Sequence, residues 1–188
     1  MKFYYLFFSF MIFFIPSFGQ EWKKVETSMY SFEIPADWIS VHGNGSRISE
    51  VKSKNYRQYS RFWYSPEGKH PDTWAKAISL DIDSYESLYS PPLTFQFIQD
   101  QSIAAPTKIF NVEKEDLGEG KMKIIVYEED KEISIGKIKR YNAYRYMFLL
   151  HTKDIAHVLT VRLRESFLKE RPENHELIER IFNSFVLK

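Results

Sequence analysis

Two histidines, His151 and His157, flank a short polar turn from Thr152 to Ala156. If the chain reverses there on a three-residue tip, the two stand directly opposite each other across a hairpin, with Cβ atoms about 5 Å apart. Two imidazoles at that spacing can share a metal ion, but a zinc site takes at least three protein ligands. The nearest carboxylate, Asp154, lies in the turn itself, so the set is incomplete. The plainer reading is two histidines at a sheet end, one of them half-buried.

Other polar pairs are weaker. His175-Glu176-Leu177-Ile178-Glu179 has the frame of the helical zinc-protease motif, yet Glu179 stands where the second histidine is required. At about 100° per residue, His175 and Glu179 share a helix face beside the apolar stripe, as a solvated flank does. Asp81 and Asp83 lie two apart on a strand and face one side. Paired carboxylates suit acid–base work or a cation, but no third carboxylate or Gly-centred calcium loop follows. There is no Gly-x-Ser-x-Gly elbow, phosphate-binding loop or dinucleotide fingerprint. No catalytic residue and no cofactor is assigned by these patterns. A hydrolase would have to assemble scattered Ser, His and Asp residues in space.

Aromatic and arginine side chains offer binding chemistry instead. Tyr56 to Tyr64 is dense in both, and strand alternation puts Tyr59, Arg61 and Trp63 on one face and Phe62 and Tyr64 on the other. Arg140, Tyr141, Tyr144, Arg145 and Tyr146 form a second cluster. Such mixtures stack rings or meet a partner's side chains. Ordinary sheet packing is the competing reading, since one face of each segment belongs to a core.

These residues must be positioned by strands and helices that the spacing also marks. Tyr30 to Pro35 alternates apolar and polar, Pro35 ends it, and Trp38 to Val41 reads as the returning strand. His42 to Ser46 is a turn by composition. Tyr59 to Tyr64 is a strand closed by Ser65-Pro66-Glu67-Gly68, and Ile78, Leu80 and Ile82 alternate with polar neighbours. Pro92 to Ile103 predicts a helix, with Pro92 in its first turn. Lys108 to Val112 and Lys121 to Tyr127 are strands around an acidic turn containing Gly118 and Gly120, and Ile133 to Tyr141 continues the meander. Tyr144 to His151 and His157 to Arg164 are the strongest strand pair. Met147 to Leu150 is apolar throughout, which predicts cover on both faces. A last helix spans Pro172 to Phe182 with Leu177, Ile178, Ile181 and Phe182 as its buried stripe, and Phe185 to Leu187 is a terminal strand. The order is that of an α+β protein, a mostly antiparallel β-sheet with helices packed on it.

Composition sets the address. Met1 to Gly19 has a basic start at Lys2, an apolar run from Phe3 to Ile15, a break at Pro16 and small residues at Ser17 and Gly19. That is the pattern of a cleaved secretory signal. The reading is a signal peptide at residues 1–19 and one domain at residues 20–188, secreted or periplasmic. An uncleaved anchor is the alternative, but the run is short of the roughly 20 apolar residues a span needs. The chain has no cysteine, so it carries no lipoprotein anchor, disulfide, thiolate metal site or thiol nucleophile. Of 26 Lys and Arg, Lys2 leaves with the signal, and the remainder balances 25 Asp and Glu. A neutral chain has no global attraction to nucleic acid or anionic lipid.

Tyr30-Ser31-Phe32-Glu33-Ile34-Pro35-Ala36-Asp37-Trp38 resembles the opening hairpin of PsbP/Mog1-like domains, an aromatic strand running into Pro and then Trp. Ile178 to Phe185 is similar to their final helix with its closing Ser-Phe pair. The resemblance covers nearly all of residues 20–188 and implies an α/β/α sandwich with a protein-binding or accessory role. It transfers no catalytic residues. The expectation is a non-enzymatic envelope protein with a protein partner, no nucleic acid and no stable membrane insertion. A small-molecule or metal-binding envelope protein is the alternative.

Overall fold

The computed structural model describes residues 20–40, 51–52, 56–66, 78–87, 108–134, 137–151 and 155–188; for 51–52, 56–63, 87 and 132–134 it describes strand positions alone. The expected signal, the turn at His42 to Ser46, Glu67-Gly68, the helix at Pro92 to Ile103 and the tip Thr152 to Asp154 lie outside the described residues.

A small sheet is built from β1 (Trp22–Glu26), β2 (Tyr30–Pro35) and β11 (Val186–Leu187), in the order β1-β2-β11. A large sheet carries β3 (Ile39–Ser40), β4 (Val51–Lys52), β5 (Tyr56–Ser65), β6 (Ser79–Ser87), β7 (Lys108–Gly118), β8 (Lys121–Ser134), β9 (Lys137–His151) and β10 (Ile155–Arg164). Its order is β3-β5-β6-β10-β9-β8-β7, with β4 also on β5. Every pairing among the described strands is antiparallel. Two helices, α1 (Glu165–Glu170) and α2 (Asn174–Asn183), follow β10.

Alternation divides the large sheet into two faces. Leu80, Ile82, Tyr146, Phe148, Leu150, Leu159, Val161 and Leu163 turn to the near face, where they join Tyr30, Phe32 and Ile34 of β2 and Ile178, Ile181 and Phe182 of α2 in one core. Phe148 stacks on Phe182 with centroids 5.4 Å apart. Tyr85, Ile124, Val126, Met147, Leu149, Ala156 and Val158 form a second cluster on the far face. The unbroken apolar run Met147 to Leu150 thus serves both clusters in turn, as expected, and all four residues are buried.

Several expectations are corrected. Of the strand expected from Trp38 to Val41, the described part, Trp38 to Ser40, does not return along β2; β2 pairs with the preceding β1, and the chain crosses to the large sheet, where Ile39 meets Ser65. Trp38 is buried and makes this crossing a core position, and the Lys23 ammonium holds it by donating to the Ala36 and Trp38 carbonyls. The acidic segment is strand rather than turn: β7 runs to Gly118, and a two-residue connection, Glu119 and Gly120, joins it to β8. Both have positive φ, 50° and 74°, the requirement of a type I′ hairpin. The final helix begins at Asn174, with Pro172 in the turn before it, and α1 precedes both. Its Ile178, Ile181 and Phe182 are buried and Leu177 packs half-buried beside them.

Candidate binding surfaces

The two sheets and the helices meet at a cleft of about 430 Å³. Trp22 of β1, Asp37 and Trp38 of the crossing, Pro66 after β5 and Ile78 before β6 form one side; Phe167 of α1 and the start of α2 form the other. Trp38 and Ile78 are buried at its base. Two cations sit on aromatic rings there. The Arg180 guanidinium lies 3.9 Å from the Trp22 centroid, and that of Arg171 lies 5.4 Å from the Phe167 centroid. Arg180 also reaches Glu33 at 3.4 Å. Asp37, Glu173 and Glu176 add opposite charge along the walls.

A second surface is an aromatic ribbon across three strands. Phe110 on β7 lies 5.2 Å from Tyr127 on β8, Tyr127 stacks on Tyr144 of β9 at 4.9 Å, and Tyr144 lies 6.1 Å from Tyr146. Tyr127 and Tyr144 are register partners, which brings the rings face to face. The ribbon grades from exposed to buried: Phe110 is 43% exposed, Tyr127 and Tyr144 are half-buried, and Tyr146 is 3% exposed. Burial pushes the Tyr144 phenol above its ordinary pKa, with the Glu165 carboxylate adding to the effect. Tyr146 closes the ribbon against His175 of α2, whose Nδ1 is 3.3 Å from the phenol oxygen. Lys108 stands over Phe110 at 5.1 Å.

The far face carries a buried charged pair. Arg145 donates to Glu128 at 2.6 Å, and both side chains are almost wholly inaccessible. Desolvation lowers the Arg145 pKa, and the Glu128 carboxylate opposes that shift.

The predicted site residues are redistributed by register. His151 pairs with Ala156, and His157 pairs with Leu150. That one-residue offset puts the two imidazoles on opposite faces of the sheet, so they are not the opposed pair that the spacing suggested. His157 is 3% exposed, 2.8 Å from the Ser84 Oγ through Nδ1, and edge-on to Tyr30. Burial pulls its pKa down to about 4. Among the described residues, no group of three or more His, Cys, Asp or Glu could hold a metal ion.

Tyr141 and Tyr144 are likewise divided. Tyr144 belongs to the near-face ribbon, whereas Tyr141 lies on the far side, under the Arg164 guanidinium at 3.9 Å and 3.3 Å from Asp130. Burial and the Asp130 charge raise the Tyr141 pKa to about 12. On β5 a register shift falls between Tyr59 and Phe62: Tyr59 meets Ser84, Phe62 meets Ile82 and Trp63 meets Asp81. The grouping expected of Tyr59, Arg61 and Trp63 concerns side chains outside the described ones. Asp81 and Asp83 do share the far side of β6, half-buried. His175 is exposed and Glu179 pairs with Lys123 of β8, so the motif-like pentapeptide is a helix flank.

The cleft was not visible as a pattern. Its walls bring Trp22, Asp37, Trp38, Pro66 and Ile78 against the distant stretch from Phe167 to Arg180. Phe110 lies in the strand expected from Lys108 to Val112, but nothing in that segment marks it as a binding residue. Its ring contact with Tyr127 of the neighbouring strand has no local signal.

These elements define an α+β protein of antiparallel sheets. No protein-family model and no curated protein matches the chain. Among solved structures it is similar to the Saccharomyces cerevisiae Ran-binding protein Mog1p, with a TM-score of 0.50 and 16% identity over 89% of this chain and 96% of that one. A mutant of Mog1 gives 0.52 and 14% over the same shares. Cyanobacterial PsbP from Synechocystis aligns at 0.46 and 12%, over 90% of this chain and 94% of that one. The chain has the PsbP/Mog1-like fold.

Proposed function

We propose that this chain is an exported, non-enzymatic accessory domain of the cell envelope that binds a protein partner through the ribbon of Phe110, Tyr127 and Tyr144. The observation that carries the reading is the exposed end of that ribbon. Phe110 is 43% exposed on β7, a strand at the edge of the large sheet on which only Val112 is even half-buried. Aromatic residues are enriched in interface cores because each removes a large area from water at low entropy cost. Mog1p, of similar fold, is a Ran-binding protein; extending partner binding to this chain is analogy by fold. Export rests on Met1 to Gly19, and the one-domain α/β/α sandwich belongs to the same reading. No helix among the described residues is long and apolar enough to cross a membrane.

The test is capture of envelope proteins by the chain from Gln20, compared between wild type and Phe110→Ala/Tyr144→Ala. Phe110→Ala alone should move stability by about 0.5 kcal/mol or less, as exposed substitutions do. Loss of one reproducible partner in the double variant, with an unchanged circular dichroism spectrum, supports the reading. Undiminished capture overturns it.

A small-molecule role is the second reading, favoured by the aromatic-walled cleft.

A further inference from the structure

The hairpin of β8 and β9 outruns the sheet around it. β7 pairs with β8 as far as Glu129, and β10 pairs with β9 as far as Ala143. Among the described strands, Asp130 to Ser134 and Lys137 to Tyr141 pair only with each other. At about 3.3 Å per residue, this arm extends roughly 15 Å past its neighbours. Ile138 on it is 63% exposed, the most exposed large hydrophobic residue among those described. Lys131, Lys137, Lys139 and Arg140 are exposed around it. Alternation sets Lys131, Ile138 and Arg140 on the near face, with Tyr127 and Tyr144, and Lys137 and Lys139 on the far one. Lys131 and Arg140 are direct register partners, and like charges so placed repel. Arg140 reaches one carboxylate, Glu129. The carboxylates here, Glu129, Asp130 and Glu132, all lie on β8; from Ile133 to Lys153 the chain has none.

We propose that this arm docks the protein reversibly on an anionic lipid surface, with Ile138 entering the headgroup boundary and Lys131, Lys137, Lys139 and Arg140 meeting lipid phosphates. An apolar residue on a protruding element, flanked by cations, matches an interface where acyl chains begin beneath a negative surface. A groove in a protein partner would read one face of the arm. Both faces carry cations here, as contact with a plane met end-on requires. A phosphate near Lys131 and Arg140 also relieves the repulsion across that pair. The chain as a whole is close to neutral, so the attraction is local and acts within a Debye length, about 8–10 Å. Each cation near such a surface strengthens binding about fivefold, which gives reversible, peripheral attachment rather than a span. The arm adjoins the aromatic ribbon but does not depend on the partner proposed for it.

Flotation with lipid vesicles tests the docking. The soluble chain, as recovered from cells, is mixed with vesicles of phosphatidylglycerol and phosphatidylethanolamine, or of phosphatidylcholine alone. Binding to the anionic vesicles is expected, with phosphatidylcholine weaker by about tenfold or more. Added salt should weaken the anionic case. Lys137→Gln/Lys139→Gln should lose about tenfold or more, and Ile138→Gln about fivefold. Neither should lower Tm, because the replaced side chains are exposed. Phe110→Ala/Tyr144→Ala, which removes the ribbon, should bind vesicles as the wild type does. Because the chain has no cysteine, Ile138→Cys accepts an environment-sensitive dye at one place. Its emission should shift to the blue on anionic vesicles. The same dye on Ile39→Cys, an exposed position on β3 at the other end of the sheet, should not shift. No flotation, equal flotation with both lipids, undiminished binding in the arm variants, or equal dye shifts at the two positions overturns the proposal.

Discussion

At the scale of single residues, burial decides what the ionisable groups can do. His157 is enclosed by Tyr30, Phe185 and Ser84, and no carboxylate is among its hydrogen-bond or ring contacts described above. Its charged form is disfavoured in the folded state, where its pKa falls to about 4, against about 6.5 in an unfolded chain. Between those values the unfolded chain binds more protons, so stability is complete above about pH 6.5 and drains away as pH falls toward 4. The loss amounts to roughly 2–3 kcal/mol. Denaturant melts from pH 4 to 7 should show a shallower pH slope for His157→Gln than for wild type; identical slopes would remove His157 as the source. The Arg145–Glu128 pair makes a different demand. Removing one member, as in Arg145→Met, takes the bonded cation away from a buried carboxylate and should cost about 3–5 kcal/mol. Arg145→Met combined with Glu128→Leu should recover much of that loss, read from the same melts. If the double variant is no more stable than the single one, the charge imbalance is not what matters.

At the scale of elements, the β7–β8 connection shows how a few backbone angles set a register. Gly118 and Gly120 both sit at φ 74°, but their surroundings differ. A Cβ on Gly118 would meet nothing within 4 Å, whereas one on Gly120 would lie 2.5 Å from the His151 carbonyl oxygen. Gly120 is also tied to that strand, its carbonyl accepting from the His151 N–H at 2.8 Å. Gly118→Ala should cost about 1 kcal/mol, the left-handed penalty alone. Gly120→Ala adds a backbone clash, should cost at least about 2 kcal/mol, and should shift the amide signals of His151. Equal melting temperatures for the two variants would contradict the close approach. The turn sets the pairing that lays Tyr127 beside Phe110, so the ribbon depends on it. The register shift between Ile109 and Asn111 adds the local twist there.

At the scale of the whole molecule, the chain's two described ends close the core together. Val186 and Leu187 pair with Ser31 and Tyr30, and the Lys188 N–H donates to the Met29 carbonyl at 3.0 Å. The Glu33 N–H donates to the Ser184 Oγ at 2.8 Å, and Lys188 reaches Glu26 at 2.7 Å. Phe185 packs on Tyr30 with centroids 5.2 Å apart. Deleting Ser184 to Lys188 should therefore release β2 before the rest: amides of Tyr30 to Ile34 should lose most of their hydrogen-exchange protection while those of Met147 to Leu150 keep theirs. Uniform loss would mean that the two sheets unfold as one unit.

How much of this was legible along the chain depends on distance in sequence. Alternation in Tyr30 to Pro35 and in Ile78 to Ile82, the apolar run Met147 to Leu150 and the stripe of Ile178, Ile181 and Phe182 are local consequences of strand and helix periods, and the structure keeps them. The aromatic opening and the Ser-Phe close were enough for the fold resemblance, because core positions in one element repeat at its period. Register is a different kind of quantity. An offset of one residue separates His151 from His157, a register shift falls between Tyr59 and Phe62 on β5, and Tyr141 and Tyr144 part company at an odd spacing. Each is set by contacts with another strand, and a slip of one residue reverses every side chain. The cleft draws on segments from both ends of the chain, so only the packing of the small sheet against α1 and α2 brings it into being. The sequence by itself determined the periods, the charge balance and the outline of the fold. The tertiary structure alone decided which residues meet, because pairing free energy is spread over long-range contacts that leave no local mark.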